Sequence, residues 1–420
     1  MILALAPPVP KRAPASVAAP SRPKSYSRFM THSHPGLDGL FHTHTHGGHT
    51  HTHLNPEAAR SGVEVRLHLR GVVLPEGEEH DLWTHDGVLS FEPVEDAITL
   101  ATGVWIMPGL VDAHSHIGLD QHGPISDEET EEQAITERDA GVLLVRDAGS
   151  PSDTRWIDDR DDLPRVVRAG RHIARPKRYL RNYAEEIEPE QLSDEVARQA
   201  QRGDGWVKLV GDWIDRDEGD LAPLWPQHLA EQAIETAHAH GAKVTAHCFG
   251  EDSVAQLVSA GIDGIEHGTG ASDDVIEQMA SRGVALVPTM INLENFPGIA
   301  DAAAEKFPTY AAHMRDLYAR RLDVMSRARE AGVPIYAGTD AGGVLPHGLI
   351  GDEIAALGAI GDADFALGAA SWRAREWLGF AGIDHGAPAD LVIFDADPRV
   401  DLGAARHPKY VVLRGVVYQP

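Results

Sequence analysis

The alternation of short apolar runs with polar loops and helical patterns, from about Pro108 to Gly379, constrains the fold of this chain more than any other feature. Eight runs are strand candidates, within residues 106–118, 142–147, 165–170, 206–210, 243–248, 264–267, 284–289 and 334–340. Strands that alternate with helices build parallel sheets, and eight such units in roughly 250 residues are typical of a closed barrel. The sequence predicts an α/β protein in which residues 108–379 form a (β/α)8 TIM barrel.

Two helix boundaries within this stretch have sequence signals. Ser126 and Glu129 form a capping-box pattern, which is typical of the first turn of a helix. Gly241 follows the helical run L-A-E-Q-A-I-E-T-A-H-A-H and is expected to end that helix.

Both flanks of the predicted barrel consist of short alternating segments that are typical of antiparallel strands. They occupy residues 56–107 and 380–420. Neither flank has enough strands for a stable sheet of its own. We therefore expect the two flanks to combine into one small β-sandwich, with the barrel inserted between them.

The first 55 residues have a different composition. Residues 1–29 are rich in Pro, Ala and Ser, and residues 32–53 contain eight histidines. Because the tract has nothing apolar to bury, residues 1–55 are predicted to be a disordered tail. Its histidines are expected to bind zinc or nickel loosely, and the break in composition makes Met30 a candidate for the native start.

Charge and cysteine content limit the partners and the compartment. The net charge is −27, and the first 30 residues hold five basic residues and no acids. Such an acidic surface disfavours nucleic acid and anionic membranes as partners. The single Cys248 excludes an internal disulfide, and no run approaches the roughly 20 apolar residues of a membrane span. We therefore predict a cytoplasmic protein with a small-molecule substrate, as a monomer or a homo-oligomer.

Metal-suited side chains stand at the ends of several predicted strands. His114 and His116 are two residues apart, so an extended backbone points both imidazoles to the same side, where they suit a divalent metal. His247, His267 and Asp340 end the fifth, sixth and eighth strand candidates. Because barrels of this type keep their active sites at the carboxyl ends of the strands, we expect one common metal site.

Lys208 lies inside the apolar run W-V-K-L-V of the fourth strand candidate. Removing an unpaired ammonium group from water is costly, so this lysine needs a partner, a lowered pKa or a chemical modification. A neutral lysine amine can react with CO2 to give a carbamate, which has two ligand oxygens. Lys208 is therefore a candidate for a bridging metal ligand.

Together these motifs resemble the amidohydrolase superfamily, and within it the branch of imidazolonepropionase-related metal-dependent hydrolases. P-G-L-V-D-A-H-S-H resembles the family's first strand, G-V-L-L-V-R-D-A-G its second, G-I-E-H-G its sixth and Y-A-G-T-D-A its eighth. A-S-W-R-A-R-E-W-L-G and G-A-P-A-D-L-V-I-F-D-A-D-P resemble its closing helix and its return into the sandwich. The resemblance covers about residues 62–420.

The resemblance implies a site for two divalent metal ions, with zinc the expected metal. The implied ligands are His114, His116 and Asp340 for one ion, His247 and His267 for the other, and a carbamate formed on Lys208 from CO2 for both. It further implies that a metal-activated hydroxide attacks the substrate and that Asp340 acts as the general acid and base.

The segment after the third strand candidate departs from the family pattern. Members of this branch commonly carry a Gly-Gly-His turn there, whereas this chain has R-H-I-A-R-P-K-R-Y-L-R-N-Y, in which His172 is a loose equivalent. Arg178, Arg181 and Tyr183 are candidate contacts for a substrate carboxylate, with a solvated or salt-bridged loop as the alternative. His347, after the eighth strand candidate, is a candidate for either a substrate contact or a helix cap.

The function predicted from these residues is hydrolysis of an amide-type carbon–nitrogen bond in a dipeptide, an N-acyl amino acid or a cyclic amide. Two alternatives stay open. One is a mononuclear deaminase or imidazolonepropionase-like hydrolase, in which Lys208 remains an ordinary amine. The other is a non-catalytic zinc-binding protein that uses the histidine tract.

Overall fold

The computed structural model describes residues 41–46, 49–54 and 66–420. The chain divides into two compact units, Met1–Val63 and Glu64–Pro420. In the first unit, β1 (Phe41–His46) and β2 (His49–Leu54) pair antiparallel. These strands differ from the disordered tail that we expected, because β-branched Thr at alternate positions favours extended backbone. The rest of the predicted tail, including Met30, lies outside the described residues.

The second unit contains both strands and helices. Its strands are β3 (Leu67–Val73), β4 (Glu78–His85), β5 (Val88–Ser90), β6 (Ile98–Pro108), β7 (Leu110–Ser115), β8 (Leu119–Asp120), β9 (Gly123–Pro124), β10 (Val142–Asp147), β11 (Arg165–Arg168), β12 (Ile173–Ala174), β13 (Glu185–Glu186), β14 (Trp206–Val210), β15 (Asp212–Asp215), β16 (Asp220–Pro223), β17 (Lys243–Cys248), β18 (Gly264–His267), β19 (Ala285–Val287), β20 (Leu391–Phe394), β21 (Tyr410–Leu413) and β22 (Val416–Tyr418). Its α-helices are α1 (Asp127–Asp139), α2 (Leu192–Arg202), α3 (Gln227–Ala239), α4 (Glu251–Ser259), α5 (Asp273–Arg282), α6 (Met290–Leu293), α7 (Phe296–Ala303), α8 (Pro308–Glu330), α9 (Ile350–Leu357), α10 (Ala363–Ala369) and α11 (Trp372–Leu378). Short 3-10 helices cover Arg155–Asp159, Pro189–Gln191 and Leu402–Arg406.

One seven-stranded sheet combines strands from both ends of this unit, in the order β22-β21-β20-β6-β3-β4-β5. The two ends meet where β20 pairs with β6, with Leu391 opposite Pro108 and Phe394 opposite Trp105. β3 and β6 are parallel, and the other neighbouring strands are antiparallel. The two flanks therefore share one sheet, and the sandwich expected of them stays a prediction.

Parallel strands form the middle of the unit. β11, β10 and β7 make one sheet, and β13, β12, β14, β17, β18 and β19 make another. The bounds of β10, β14, β17 and β18 are those expected from the apolar runs. These four strands were easily recognised because a parallel strand is covered on both faces and its sequence is apolar throughout.

The eighth strand candidate, residues 334–340, differs from its prediction. The structure gives it isolated parallel bridges rather than a regular strand, one from Ile335 to Leu286 in β19 and one from Ala341 to Ser115 in β7. The segment therefore lies between β19 and β7, although its own ladder is interrupted.

The predicted helix ends agree with the structure. Ser126 and Glu129 form a complete capping box at the start of α1. Gly241 follows α3 with a φ of 75°, a conformation in which glycine is favoured. None of the described helices is long and apolar enough to cross a membrane.

Candidate metal centre

His114 and His116 lie at the carboxyl end of β7, with their ring centroids 5.1 Å apart. The carboxylate of Asp340 joins them from the interrupted eighth segment. The ligand atoms of these three side chains all lie within 4.8 Å of one another. The two imidazoles are buried, so their contacts form with little water around them. The spacing in the sequence predicted this convergence.

His114 is oriented by a buried carboxylate. Its Nδ1 lies 2.7 Å from Oε2 of Glu266. The other oxygen of that carboxylate, Oε1, accepts from Arg146 at 2.6 Å and from the hydroxyl of Thr245. Burial alone would raise the pKa of Glu266, but Arg146 and His114 hold it well below its usual range. Because Glu266 accepts the Nδ1 proton, Nε2 of His114 is the nitrogen that faces the site.

His116 is oriented by a backbone carbonyl. Its Nδ1 lies 2.8 Å from the carbonyl oxygen of Gly149, and a carbonyl can only accept, so Nδ1 carries a proton. Burial lowers the pKa of His116, which favours the neutral ring with a lone pair on Nε2. That Nε2 is 3.0 Å from Oδ1 of Asp340. An imidazole lone pair and a carboxylate oxygen therefore face each other, and a cation between them would stabilise this arrangement.

Asp340 is held on both sides of its carboxylate. Its Oδ1 is also 3.1 Å from Nε2 of His114, and its Oδ2 accepts from Nδ2 of Asn292 at 2.7 Å. Burial alone would raise the pKa of Asp340, but His114 holds it well below its usual range. The preceding Thr339 donates its N–H to Oδ1 of Asp112 at 3.1 Å, which removes that N–H from the strand ladder. The interruption of the eighth segment thus directs Asp340 toward the histidines.

His247 and His267 form a second pair beside the first. Nδ1 of His247 is 3.0 Å from Nε2 of His267, and Nδ1 of His267 is 2.7 Å from the hydroxyl oxygen of Thr289. Burial lowers the pKa of His247 well below its usual range and that of His267 to about 3. Nε2 of His267 is 4.0 Å from Oδ2 of Asp340, so the two pairs share this carboxylate.

Lys208 is buried within β14, on the strand next to His247. Its Nζ has no hydrogen-bond partner among the residues that the structure describes, and neither has Nε2 of His247. Burial lowers the pKa of Lys208. Burial without a hydrogen bond favours the neutral amine, which is the reactive form for carbamate formation.

The residues present fit a divalent metal. Neutral imidazoles and a carboxylate are the donors that zinc prefers in proteins. His114, His116 and Asp340 already have the spacing of a metal-binding group. His267 lies beside them, with its ring centroid 5.4 Å from that of His114.

Three residues of the site have a left-handed backbone that non-glycine residues rarely adopt. The φ angles are 67° at His267, 49° at Thr289 and 59° at Asp340. Each such residue costs on the order of 1–3 kcal/mol, and this strain tends to persist where function requires it. The presence of three such strained residues in one cluster supports a functional role for that cluster.

The predicted substrate contacts from the third-strand segment lie in different settings. Arg178 donates to Oδ2 of Asp215 at 2.6 Å, which is the salt-bridged alternative considered for this loop. Arg181 is exposed. The hydroxyl of Tyr183 is buried and donates to the carbonyl of Asp120 at 2.7 Å. Their roles toward substrate stay predictions.

His347 contacts a helix rather than the histidine cluster. Its Nδ1 is 2.8 Å from Oε1 of Glu137 in α1, and the N–H of Gly348 donates to the same oxygen. The helix that follows, α9, begins after Leu349 without a side-chain cap, so the structure does not show the capping alternative. The substrate contact stays a prediction.

Three further residues belong to the site although they were not among the predicted site residues, and His172 was noted only as a loose equivalent of the family's turn histidine. His172 is buried 5.0 Å from the ring of His116, and neither of its ring nitrogens has a partner within residues 66–420. Glu266 could have been noticed as an acid inside the apolar strand before His267. Asn292 gave no signal, because it reaches Asp340 only through the short helix α6.

Comparison with known proteins identifies the family. Residues 105–418 match the model of the amidohydrolase family. An uncharacterized protein of Mycobacterium tuberculosis is 60% identical over 358 residues, which cover 85% of this chain and 96% of that protein. The ochratoxinase of Aspergillus niger is 26% identical over 230 residues, which cover 53% of this chain and 47% of the ochratoxinase.

Solved structures support the same fold. A Xaa-Pro dipeptidase with bound methionine superposes with a TM-score of 0.72 at 20% identity, covering 84% of this chain and 100% of the dipeptidase. The structure of the A. niger ochratoxinase gives a TM-score of 0.68 at 18% identity, covering 84% of this chain and 96% of the ochratoxinase. The chain therefore has a mixed α/β fold of the TIM-barrel type.

Proposed function

The chain belongs to the amidohydrolase family and is a hydrolase acting on carbon–nitrogen bonds, and from this premise we propose that it cleaves an amide bond of a small molecule with two divalent metal ions. We propose zinc as the metal, the cytoplasm as its location, and the imidazolonepropionase-related branch as its place in the superfamily. The proposed ligands are His114, His116, Lys208 as its carbamate, His247, His267 and Asp340.

The observation that carries this proposal is the contact between His116 and Asp340. Nδ1 of His116 is committed to a carbonyl, and burial, which lowers the pKa of the ring, favours a lone pair on Nε2, 3.0 Å from Oδ1 of Asp340. Either a proton or a bound cation must lie between these two atoms, and the three ligand atoms within 4.8 Å of one another support the cation. Oδ1 of Asp340 is also 3.1 Å from His114, which gives the cation a third ligand.

We also infer that the eight strands close into a barrel. The N–H of Tyr336 donates to Leu286 in β19, and the N–H of Ala113 in β7 donates to Ala337. The eighth segment thus has a hydrogen-bonded neighbour on each side. Closure would bring the ends of β7, β14, β17 and β18 to one mouth, as in other barrels of this type.

Bound metal ions would lower the pKa of a water molecule toward neutrality and polarise the scissile carbonyl. The chain itself must accept and return a proton. Asp340 is suited to this at Oδ2, because its Oδ1 is directed at His114 and His116 while Oδ2 contacts the neutral amide of Asn292. A positioned acid and base of this kind contributes typically about 10²- to 10⁴-fold to the rate.

Lys208 would contribute an anionic ligand. Its neutral amine attacks the carbon of dissolved CO2, an N–C bond forms, and one proton leaves to solvent. The resulting carbamate has no buried ammonium charge and offers two oxygens to metal. The absence of a hydrogen-bond partner for Nζ, in the described part of the chain, supports this modification.

The proposed substrate class is a dipeptide, an N-acyl amino acid or a cyclic amide. The names of similar proteins support it, because a Xaa-Pro dipeptidase, an ochratoxinase and a phenylurea hydrolase share this fold. Arg178, Arg181, Tyr183 and His347 stay proposed substrate contacts. Arg181→Ala should raise KM for anionic substrates, and an unchanged KM would remove Arg181 from this set.

The experiment that tests the proposal is a screen of the zinc-loaded protein against libraries of dipeptides, N-acyl amino acids and cyclic amides. We expect the protein to release a free amine from a substrate of one of these classes. The Asp340→Asn variant should not release it. Chelation should abolish the release from the unmodified protein, and added zinc should restore it. Hydrolysis that persists equally in Asp340→Asn would contradict the proposed role of this carboxylate, and no hydrolysis of any of these classes would contradict the substrate class.

A mononuclear hydrolase or deaminase is the second candidate. Within the part of the chain that the structure describes, the group of His114, His116 and Asp340 is the one with the spacing for an ion, which favours this candidate. It predicts one ion per chain and little loss in Lys208→Ala. Our proposal predicts two ions per chain. It also predicts that Lys208→Ala loses activity and that short carboxylic acids partly restore it, because they replace the carbamate.

A further inference from the structure

The interaction that most directly controls the carboxylate of Asp340 comes from Asn292. We propose that Asn292 is a positioning residue that fixes the plane of the Asp340 carboxylate, so that one oxygen stays directed at the histidines. Its Nδ2 donates to Oδ2 at 2.7 Å, while Oδ1 faces Nε2 of His114 and of His116 at 3.1 and 3.0 Å. The proposal rests on the proposed metal-dependent function.

The orientation of the Asn292 amide is itself fixed. Nδ2 of Asn295 donates to Oδ1 of Asn292 at 3.0 Å. An amide offers a donor on one side and an acceptor on the other, so this contact leaves Nδ2 of Asn292 to face Asp340. Asn295, Asn292 and Asp340 therefore form a directed series of hydrogen bonds.

The helix that carries Asn292 is fixed from a second direction. The buried carboxylate of Glu353 accepts the first two N–H groups of α6, at 2.8 and 2.9 Å. Thr289, immediately before α6, contacts Nδ1 of His267. One short helix thus supplies contacts to two proposed ligands, and Glu353 holds that helix in place.

The contact with Asn292 holds one oxygen of Asp340 and leaves the other directed at the histidines. Without the amide donor, the carboxylate would rotate about its Cβ–Cγ bond and neither oxygen would be held in line with the histidines. Loss of a hydrogen bond that orients a ligand typically weakens metal binding or activity by about 10- to 100-fold. We expect an effect of this size from loss of Asn292.

The test uses the full-length protein and Co²⁺ as the probe. The variants are Asn292→Ala, Asn292→Leu and Asn295→Ala, and the control is Gln278→Ala, whose amide donates to a carbonyl of its own helix α5. Competition with a chelator measures the affinity of the tightest class of Co²⁺ sites. The visible Co²⁺ spectrum reports the ligand geometry, and the thermal unfolding temperature reports folding.

We expect Asn292→Ala to bind Co²⁺ about 10- to 100-fold more weakly with a changed spectrum, and Asn295→Ala to show a smaller loss. Asn292→Leu keeps the approximate size of the side chain but has no donor, so it should lose about as much as Asn292→Ala. With any substrate found by screening, kcat should fall while KM is unchanged. Gln278→Ala should match the unmodified protein.

The outcomes separate the two proposals. If the unmodified protein has no tight Co²⁺ site, the proposed function fails. If it has one and Asn292→Leu leaves its affinity and spectrum unchanged, the positioning role of Asn292 is wrong. If Asn292→Ala weakens binding and Asn292→Leu, which has a similar size, does not, Asn292 acts by packing alone, which also overturns the proposal.

Discussion

At the scale of single residues, the role of each histidine in this site depends on what its second nitrogen contacts. His114 contacts a carboxylate, His116 a carbonyl and His267 a hydroxyl group. The sequence could predict the first two histidines, because a spacing of two along a strand places both side chains on one face. It could not predict Glu266 as the partner of His114, because the two are 152 residues apart and are brought together only by the order of the strands.

Glu266→Gln tests this orientation. The variant keeps the shape of the side chain but removes the charge that holds Nδ1–H of His114 and pairs with Arg146. We expect zinc affinity to fall about 10- to 100-fold, because His114 loses the carboxylate that orients it. The free energy of unfolding should fall by about 3 kcal/mol, because the buried charge of Arg146 loses its partner. Chelator competition and urea denaturation measure the two effects, with the exposed Glu277→Gln as control. Unchanged zinc affinity would show that Glu266 has only a structural role.

At the scale of elements, the loops and short helices around the barrel determine what faces the site. The strands β10, β14, β17 and β18 were predictable from apolar runs, but the hairpin of β15 and β16 and the helix α6 were not. Both are short, and tertiary contacts rather than local sequence pattern fix them. Arg178 shows this, because its sequence suggested a substrate contact and the structure pairs it with Asp215 in the hairpin.

His313→Gln tests how the hairpin is attached to α8. His313 lies 2.9 Å from Asp220 in β16 and 2.9 Å from Glu251 in α4, and the hydrogen bond with Glu251 raises the pKa of His313 to about 9. A raised pKa adds stability that is complete below the ordinary value near 6.5 and is lost as the pH rises through 9. We expect the variant to be less stable by roughly 1 kcal/mol at pH 6, after allowance for solvent screening.

The same comparison should show no difference at pH 10, where His313 is neutral in both the folded and the unfolded state. Urea denaturation at pH 6 and at pH 10 measures it, with the exposed His407→Gln as control. A loss of stability in His313→Gln that is equal at both pH values would contradict a role for the charge.

Glu353→Ala tests the attachment of α6. The change leaves two N–H groups at the start of α6 without their acceptor. Each buried N–H that loses its partner costs about 1–3 kcal/mol, so we expect the free energy of unfolding to fall by about 2–6 kcal/mol. Asp352→Asn, at an exposed ion pair on the same helix, is the matched control for urea denaturation. Equal stability of the two variants would contradict this role of Glu353.

At the scale of the whole molecule, the two ends of residues 66–420 are joined through one sheet. The sequence indicated that the two flanks combine, because each flank had too few strands for a sheet of its own. The irregular eighth segment could not be predicted, because its left-handed turn at Asp340 depends on Asp112 accepting the N–H of the residue before it. The order of the strands was accessible only through the resemblance to a family.

Removal of residues 410–420 tests whether the shared sheet needs the strands from the carboxyl-terminal end of the chain. The deletion removes β21 and β22 and uncovers Leu143, which packs against Val411, Leu413 and Tyr418. Exposure of this cluster should prevent folding at 37 °C, because each fully buried apolar side chain contributes about 1.5–3 kcal/mol. Circular dichroism and thermal unfolding measure the effect, and removal of Gln419 and Pro420 alone is the control. A stable, cooperatively folded truncated protein would contradict this account of the sheet.

The metal content of the protein after removal of residues 1–55, which carry the histidine tract, tests whether the histidine cluster at the strand ends binds metal. We expect two divalent ions per chain, measured by elemental analysis of the zinc-loaded and dialysed protein, and loss of both in the His114→Ala, His267→Ala double variant. A shortened protein that retains no metal would show that the tail, and not this cluster, binds metal.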